Sequence, residues 1–313
     1  MDHRSQMQQR LLARQPFYFR SVIRSHGWYQ LAPLQWNDAS GTLRLPLQLA
    51  SGAVVLVTCA HHDDGLLISA HDELASYAQD EIAHCVAWMF NLDADYSAFY
   101  ALADQEPRLA HCRPAGHGRL LRSPSLFEDV VKVMATTNIQ WSGTKRLVLR
   151  LVEAFGAAYA EAEDVCAFPH AQTIAATDEA TLRRLGWGYR SPYLLRLARG
   201  VAEGVYDLDG LRQSPMPTPA LRNELLKLPG IGPYGAATLL GLLGRHDFIG
   251  VDTEAVSAVS KAFYHGRPVG EKEILAVFER WGEYKALAYW FWDWSGVQHA
   301  PITVWEGQQT EKA

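Results

Sequence analysis

Residues 228–257 read "LPGIGPYGAATLLGLLGRHDFIGVDTEAVS", and this stretch decides how we interpret the chain. Apolar residues recur at helical spacing from Leu221 to Leu243, on both sides of the turn sequence "PGIGP". Pro229 ends the first helix, because proline lacks a backbone N–H and disfavours helical geometry in the residue before it. The pattern therefore predicts a helical hairpin at residues 221–243.

The glycines of the turn predict a backbone that an anion can approach. Gly230 and Gly232 permit positive φ and leave neighbouring amides uncovered. The start of the second helix adds free N–H groups and partial positive charge. Such a turn can bind a phosphate without a lysine side chain. The alternative is a plain corner between two helices, since glycine is common in such turns.

Asp252 stands where the next helix should begin, in "VDTEAVS". Aspartate is a favoured N-cap, so a purely structural role would account for it. The second interpretation is a catalytic carboxylate. The N–H groups of a helix start favour the ionised form, which suits electrostatic stabilisation of a cation. The sequence around Asp252 leaves both interpretations open.

Composition limits the classes of function. The 313 residues are 48% hydrophobic, enough for two or three packed units. The net charge of −5 means that contact with nucleic acid cannot depend on overall attraction. No window reaches the roughly 18 apolar residues of a membrane span, and the start is too polar for a secretory signal. The four cysteines are widely scattered, which argues against disulfides and against a structural zinc site. This pattern predicts a protein of the reducing cytoplasm.

The order of patterns along the chain predicts an α+β protein. "TLRLPLQLA", "AVVLVTC" and "LLIS", separated by "SG" and "DDG", predict an antiparallel meander. From residue 71 onward the apolar period is helical, with short breaks. We expect an N-terminal tail at 1–16, an antiparallel β-domain with a trailing helix at 17–100, a helical core at 101–300 and a C-terminal tail at 301–313.

The sequence from "LPGIGPYGAA" to "VDTEAVS" resembles the helix-hairpin-helix (HhH-GPD) DNA glycosylases, which place an essential aspartate at the head of a helix after the hairpin. Three further segments resemble this family and occur in its order. They are "SPSLFEDVVKVMATTNIQWSGTKRLVLRLVEAFG", "LRRLGWGYRSPYLLRLA" and "WGEYKALAYWFWDW". The N-terminal meander is similar to the β-domain of alkylbase and 8-oxoguanine glycosylases. The resemblance covers residues 17–298 and implies an antiparallel β-domain packed on an all-helical, two-lobed core.

The resemblance implies a base-excision-repair enzyme. Such an enzyme flips a damaged base out of double-stranded DNA and hydrolyses its N-glycosidic bond. Asp252 would stabilise the positively charged sugar and orient the attacking water. The DNA-binding hairpin would consist of Gly230, Ile231, Gly232, Tyr234 and Gly235.

Two further groups of residues are candidates for DNA contacts, the first from the resemblance and the second from charge. Asn138 and Ile139, in "TTNIQW", would form the wedge that fills the gap left by the flipped base. A small polar wedge is typical of the 8-oxoguanine branch, and an apolar wedge of the alkylbase branch. Four basic residues are candidates for phosphate contacts, with a solvated helix face as the alternative. They are Lys145, Arg146, Arg150 and Arg190.

The resemblance also predicts what this protein lacks. Members with lyase activity carry a lysine where this chain has Tyr234, so we expect a monofunctional enzyme. No cysteine follows Cys166, so we expect no iron–sulfur cluster. We expect no other cofactor except a monovalent cation, Na⁺ or K⁺, held with DNA by hairpin carbonyls. The matching positions are Leu226, Leu228 and Ile231.

The aromatic residues favour alkylated purines as substrates. The chain has ten tryptophans, and several aromatic residues crowd the last helix. Aromatic faces attract cationic rings such as 3-methyladenine and 7-methylguanine, although most of these side chains could instead form the core. We expect Tyr234, Trp281 and Tyr284 at the base pocket.

Two other functions stay open. One is an 8-oxoguanine-type glycosylase, which the Asn138 wedge favours. The other is a non-catalytic damage-sensing protein, because Glu254 and Ser257 stand where many relatives have His and Arg. In each case we expect a monomer that acts on damaged double-stranded DNA in the bacterial cytoplasm or nucleoid, away from membranes.

Overall fold

The structure is a computed structural model that describes residues 5–295. Five antiparallel strands form one sheet in the order β1-β5-β4-β3-β2. The strands are β1 Ser5–Leu12, β2 Gln35–Asn37, β3 Thr42–Gln48, β4 Val54–His62 and β5 Gly65–Leu74. A separate two-stranded hairpin is formed by β6 Ala158–Tyr159 and β7 Ala162–Cys166. The predicted antiparallel meander is therefore confirmed in β3, β4 and β5.

The rest of the described chain is mainly helical. The α-helices are α1 Phe19–Ile23, α2 Ser76–Phe90, α3 Ser97–Ala103, α4 Cys112–Ala115, α5 Leu126–Thr136, α6 Trp141–Phe155, α7 Ala171–Ala175, α8 Glu179–Arg184, α9 Ser191–Ala202, α10 Leu208–Arg212, α11 Thr218–Leu225, α12 Pro233–Leu242, α13 Thr253–Tyr264, α14 Glu271–Phe278 and α15 Lys285–Trp290. Short 3-10 helices occupy Gly27–Gln30, Gly188–Arg190 and Glu279–Tyr284. Among residues 5–295, no helix combines the length and apolar character that crossing a membrane requires.

The predicted N-terminal tail at 1–16 is wrong for residues 5–12, because these residues form β1. This strand pairs antiparallel with the long strand β5 at the edge of the sheet. Met7 is its fully buried side chain, and most of the others are polar or exposed. Backbone hydrogen bonds to β5 hold this edge strand, so its side chains can be polar. For that reason the sequence of β1 lacks the alternating apolar pattern that predicts a strand. The tail predicted at 301–313 lies outside the described residues.

The helical part has two lobes with separate cores, as the resemblance implied. The first core joins the inner face of the sheet to α2, α5, α6, α9, α11 and α12. The second core joins α3 and α4 to α13, α14 and α15. The chain therefore enters the second lobe early, leaves it for the first lobe, and returns with α13. Helix α3 (Ser97–Ala103) crosses the boundary predicted at residue 100.

Helix α5 lies at the centre of the first lobe and carries buried charged groups. Asp129 accepts a hydrogen bond from Trp28 Nε1 at 2.8 Å, and Lys132 Nζ lies 2.6 Å from Glu128 Oε1. Lys132 also donates to Ser123 Oγ at 3.1 Å. These partners matter because an unpaired charge in a core is strongly destabilising. These contacts hold α5 in place, and the predicted wedge residues follow directly after this helix.

Candidate active site

The hairpin predicted at residues 221–243 is present. Helix α11 ends at Leu225 and α12 begins at Pro233. Gly230 has φ +79°, and a Cβ there would lie 3.0 Å from Tyr193 Cβ, so glycine is required. The expectation of positive φ is wrong for Gly232, whose φ is −99°. A Cβ at Gly232 would meet no atom within 4 Å, so this position is open to solvent.

Ile231 and Gly235, two other residues of the predicted hairpin, are buried and hold the turn against the rest of the protein. Ile231 is buried, and its N–H donates to the Leu228 carbonyl at 3.1 Å. Gly235 is packed so closely that a Cβ would lie 3.2 Å from Val133 Cγ1 on α5. The groups presented outward are therefore Gly232 and the first turn of α12, including the half-exposed Tyr234. A cation held by the carbonyls of this turn stays a prediction.

Asp252 is the N-cap of α13, as its sequence position predicts. Its Oδ1 accepts the Ala255 N–H at 2.7 Å, and its backbone carbonyl accepts the Val256 N–H at 3.1 Å. The side chain is half-buried. The cap bond fixes the carboxylate orientation without removing it from the surface.

Two tyrosines lie within electrostatic reach of Asp252. Desolvation raises the pKa of Tyr234 to about 12, and the negative charge of Asp252 adds to this rise. Burial, followed by the charge of Asp252, also holds the pKa of Tyr289 well above its usual value. Tyr234 is 36% exposed and packs beside Gly250, where a Cβ would lie 3.2 Å from its Cδ2. The hairpin helix, Asp252 and α15 therefore meet at one place.

Glu254 adds a second negative charge to this place. It contributes to the raised pKa of both Tyr234 and Tyr289. Sequence reasoning named Glu254 only as a departure from relatives, and it did not select Tyr289 among the aromatic residues of the last helix. Nothing in the local pattern distinguishes Tyr289 from its aromatic neighbours, because its selection depends on how α15 packs in the second core.

The predicted wedge occupies the exposed loop between α5 and α6. Asn138 adopts φ +48° and is exposed, while Ile139 is 37% exposed and covers Gly143. Asn138 Nδ2 donates to the Tyr189 hydroxyl at 3.3 Å. Tyr189 was missed as a candidate, although an aromatic residue in the helix break "GWGYRSP" was a usable signal. Its role, like that of the wedge, stays a prediction.

Arg190 does not serve as a phosphate contact in this structure. It is 5% exposed, and its Nε lies 3.2 Å from both the Met134 carbonyl and Thr137 Oγ1. Its Nη2 also donates to the Thr137 carbonyl. Arg190 thus satisfies carbonyls at the C-terminus of α5, where helical partners are lacking. The other candidate cations, Lys145, Arg146 and Arg150, are exposed on α6.

The expected position of Trp281 at the rim of a base pocket is wrong. Trp281 is 4% exposed, with its ring centroid 5.5 Å from those of Phe278 and Trp292 in the second core. Tyr284 does line a cavity of about 410 Å³, together with His246, but Asp252 is not part of that lining. The large apolar ring of Trp281 is more stable in the core than at the surface. The spacing of apolar residues in the sequence does not reveal which aromatic side chains are buried.

The described chain thus combines an antiparallel sheet with a helical hairpin, and a half-buried carboxylate begins the helix that follows the hairpin. The model of the HhH-GPD superfamily of base excision DNA repair proteins matches residues 131–283, which include the hairpin and Asp252.

Individual relatives come from two branches of the superfamily. The chain is 25% identical over 222 residues to a DNA-3-methyladenine glycosylase of Bacillus subtilis (strain 168), which covers 69% of this chain and 73% of the relative. A 3-methyladenine DNA glycosylase from Archaeoglobus fulgidus has a similar structure, with TM-score 0.73, 18% identity and coverage of 91% and 97% of the two chains. The apo 8-oxoguanine glycosylase/lyase of Clostridium acetobutylicum gives TM-score 0.73 and 17% identity, covering 94% and 98%. These structural likenesses establish the fold and leave the damaged base open.

Proposed function

We propose that this DNA glycosylase of the HhH-GPD type releases alkylated purines from double-stranded DNA by hydrolysis. The observation that carries the proposal is the partly exposed ring of Tyr234 within electrostatic reach of Asp252 and Glu254. Aromatic faces and nearby carboxylates both attract a cationic ring. A methylated purine such as 7-methylguanine is cationic, whereas 8-oxoguanine is neutral. The site therefore favours the methylated base.

The chemistry assigns Asp252 to the sugar. Breaking the N-glycosidic bond leaves positive charge on the sugar, which a fixed carboxylate stabilises. Asp252 Oδ1 is held by the Ala255 N–H, so we assign Oδ2 to the sugar or to the attacking water. A methylated purine leaves as a neutral base, which removes the need for an acid that protonates it.

We propose hydrolysis without lyase activity. A lyase needs an amine that attacks the sugar and forms a Schiff base. Residues 228–251 contain no lysine. Lys227 precedes the turn, and its Nζ lies 2.7 Å from the Glu224 carboxylate on α11. Water is therefore the nucleophile in this proposal.

The contacts around α5 support binding of one duplex by hairpin and wedge together. Met134, in the last turn of α5, would approach a Cβ at Gly230 to 3.2 Å, and its carbonyl accepts Arg190 Nε. The wedge residue Asn138 follows a few residues later. In this arrangement the first turn of α12 binds a phosphate through backbone N–H groups while the wedge enters the duplex. We propose that a monomer suffices.

One observation favours 8-oxoguanine as a second candidate substrate. The exposed tip of the wedge is the polar side chain of Asn138, held by Tyr189. In this proposal, however, the wedge contacts the position that the base has left, whereas Tyr234 contacts the base itself. We therefore rank alkylated purines first.

A panel of duplexes tests the proposal. Duplexes with a single 7-methylguanine, hypoxanthine or 8-oxoguanine are incubated with excess protein, and alkali then reveals abasic sites. We expect rapid release of 7-methylguanine, slower release of hypoxanthine and little of 8-oxoguanine, with no covalent complex on borohydride treatment. Comparable release of 8-oxoguanine would contradict the substrate assignment. Binding of abasic DNA without release of any base would identify a damage sensor.

A further inference from the structure

A cluster of two imidazoles and one thiol lies in the segment between α3 and α5. We propose that His111, Cys112 and His117 form a binding site for a divalent transition metal, with Zn²⁺ as the preferred ion. One ligand atom from each side chain lies within 4.8 Å of the other two. Asp252 and the hairpin take no part in this cluster, so the proposal is independent of the enzyme's substrate.

The distances fit a metal after a small adjustment. Cys112 Sγ lies 3.8 Å from His111 Nε2, and the two histidine rings are 5.2 Å apart in a T-shaped arrangement. A tetrahedral zinc site separates neighbouring ligand atoms by about 3.3–3.8 Å. The sulfur and one nitrogen already have this spacing. A shift of about 1 Å in the ligand nitrogen of His117 would bring all three ligand atoms to this spacing.

The backbone explains why these three residues meet. Cys112 begins α4, and the His117 N–H donates back to the Cys112 carbonyl at 2.9 Å. Gly116 has φ +63° and Gly118 has φ +135°, so the chain turns sharply on both sides of His117. A Cβ at Gly116 would lie 2.4 Å from the Tyr18 ring. The turn is therefore fixed, and His117 is directed towards residues 111 and 112.

Outer contacts orient both histidines. The His111 ring hydrogen-bonds to the backbone of Phe291. The His117 ring stacks on the Phe291 ring at 4.7 Å and 13°. Metal-bound histidines commonly donate the N–H of their second ring nitrogen to a backbone carbonyl, and the stacked Phe291 ring limits rotation of His117. A water molecule would complete the fourth position, since the residues that the structure groups here supply three ligand atoms.

The ligand set selects the kind of metal. Two imidazoles and a thiolate suit Zn²⁺ or Co²⁺, whereas Mg²⁺ and Ca²⁺ require oxygen ligands. On binding, the Cys112 thiol loses its proton to water and the sulfur donates an electron pair to the metal, with no change of oxidation state. A pair of CxxC motifs is not needed, because all three ligands come from one short segment.

The metal would stabilise the lobe that carries Asp252. The Asp293 N–H donates to the Arg108 carbonyl at 2.9 Å, so the last described residues already pack on this segment. Trp292 and Trp294 belong to the second core. A metal at residues 111–117 would fix Phe291 and, through it, this C-terminal segment.

Cobalt binding to the full chain tests the proposal. Protein treated with a chelator and then desalted is titrated with Co²⁺. We expect one Co²⁺ per chain, with a sulfur-to-cobalt charge-transfer absorption that Zn²⁺ abolishes. We also expect excess Zn²⁺ to raise the Tm by about 5 °C. Cys112→Ser should lose the absorption, whereas the matched control Cys166→Ser, from the half-buried Cys166 on β7, should keep it.

Two further variants keep the result decisive. His117→Gln and Cys112→Ala should each weaken Co²⁺ binding at least tenfold, with circular dichroism of the metal-free protein verifying the fold. An absorption that persists in Cys112→Ser would place the metal elsewhere. Folded wild-type protein that gives no sulfur-to-cobalt absorption would overturn the proposal.

Discussion

Asp252 and Asp178 occupy the same local environment in two regions of the molecule. Each is the N-cap of a helix, α13 or α8, and each accepts the N–H three residues on at 2.7 Å. Asp178 is exposed, and its neighbours are Thr181 and Arg184. Asp252 is half-buried beside Tyr234 and Tyr289.

The difference shows that the residues around an N-cap aspartate, and not the cap itself, make it a candidate catalytic residue. The cap bond itself is the same at both sites and cannot distinguish them. At Asp252 the neighbours exclude part of the water, which strengthens the electrostatic effect of a carboxylate on a nearby cation. The carboxylate of Asp178 is exposed to solvent, and Arg184 is the charged group within its electrostatic reach.

The largest expected effect comes from exchanging each carboxylate for an amide. Asp252→Asn should lower release of 7-methylguanine by at least about 100-fold, because the charge that stabilises the sugar cation is lost. Asp178→Asn should leave release unchanged. Single-turnover rates with DNA binding measured in parallel check both. Equal losses in the two variants would show that the comparison reflects stability alone.

The next effect comes from removing an aromatic neighbour of Asp252. Tyr234→Ala should reduce release of 7-methylguanine by about 5- to 30-fold, the equivalent of a cation–π contact of about 1–2 kcal/mol. Release of neutral hypoxanthine should fall less. Tyr77→Ala removes a tyrosine that is 60% exposed on α2 and serves as the control. Equal loss for the charged and neutral bases would contradict recognition of charge.

A third test concerns the turn that brings DNA to Asp252. Gly232→Ala adds a methyl group where the protein has open space and φ is negative, so stability should not change. The methyl group should hinder approach of a phosphate and weaken DNA binding about tenfold, the equivalent of one hydrogen bond. Gly241→Ala, within α12, is the control and should bind normally. Fluorescence anisotropy measures the affinity, and unchanged binding by Gly232→Ala would exclude contact at this amide.

The smallest effect concerns Asp178 alone. Hydrogen bonds from Thr181 lower the pKa of Asp178 below its usual 3.8. A depressed folded-state pKa means that the ionised carboxylate stabilises the protein above pH 3.8, and that this contribution disappears as pH falls through the lower folded value. The Tm difference between wild type and Asp178→Asn should be constant above about pH 5 and shrink in acid. A difference that grows in acid would contradict the sign.

Several features were predictable because they depend on neighbouring residues. The meander follows from alternation and turn signals, the hairpin from proline and glycine, and the Asp252 cap from residue type. Other features were not predictable. β1 forms because β5 offers a free edge, and Arg190 is buried because α5 ends beside it. Trp281 and Tyr289 lie close in sequence and are both buried in the second core, and helix packing brings Tyr289 within electrostatic reach of Asp252.

The sequence by itself determined the elements around the site: two helices joined by a glycine turn, and an aspartate at the start of a third. These features depend on backbone conformation and on hydrogen bonds between residues a few positions apart. Only the packing of distant segments brings Tyr234 from α12 and the buried Tyr289 from α15 within electrostatic reach of that aspartate. The physical reason is that desolvation and electrostatic interaction depend on distance in space, and residues far apart in the chain supply them.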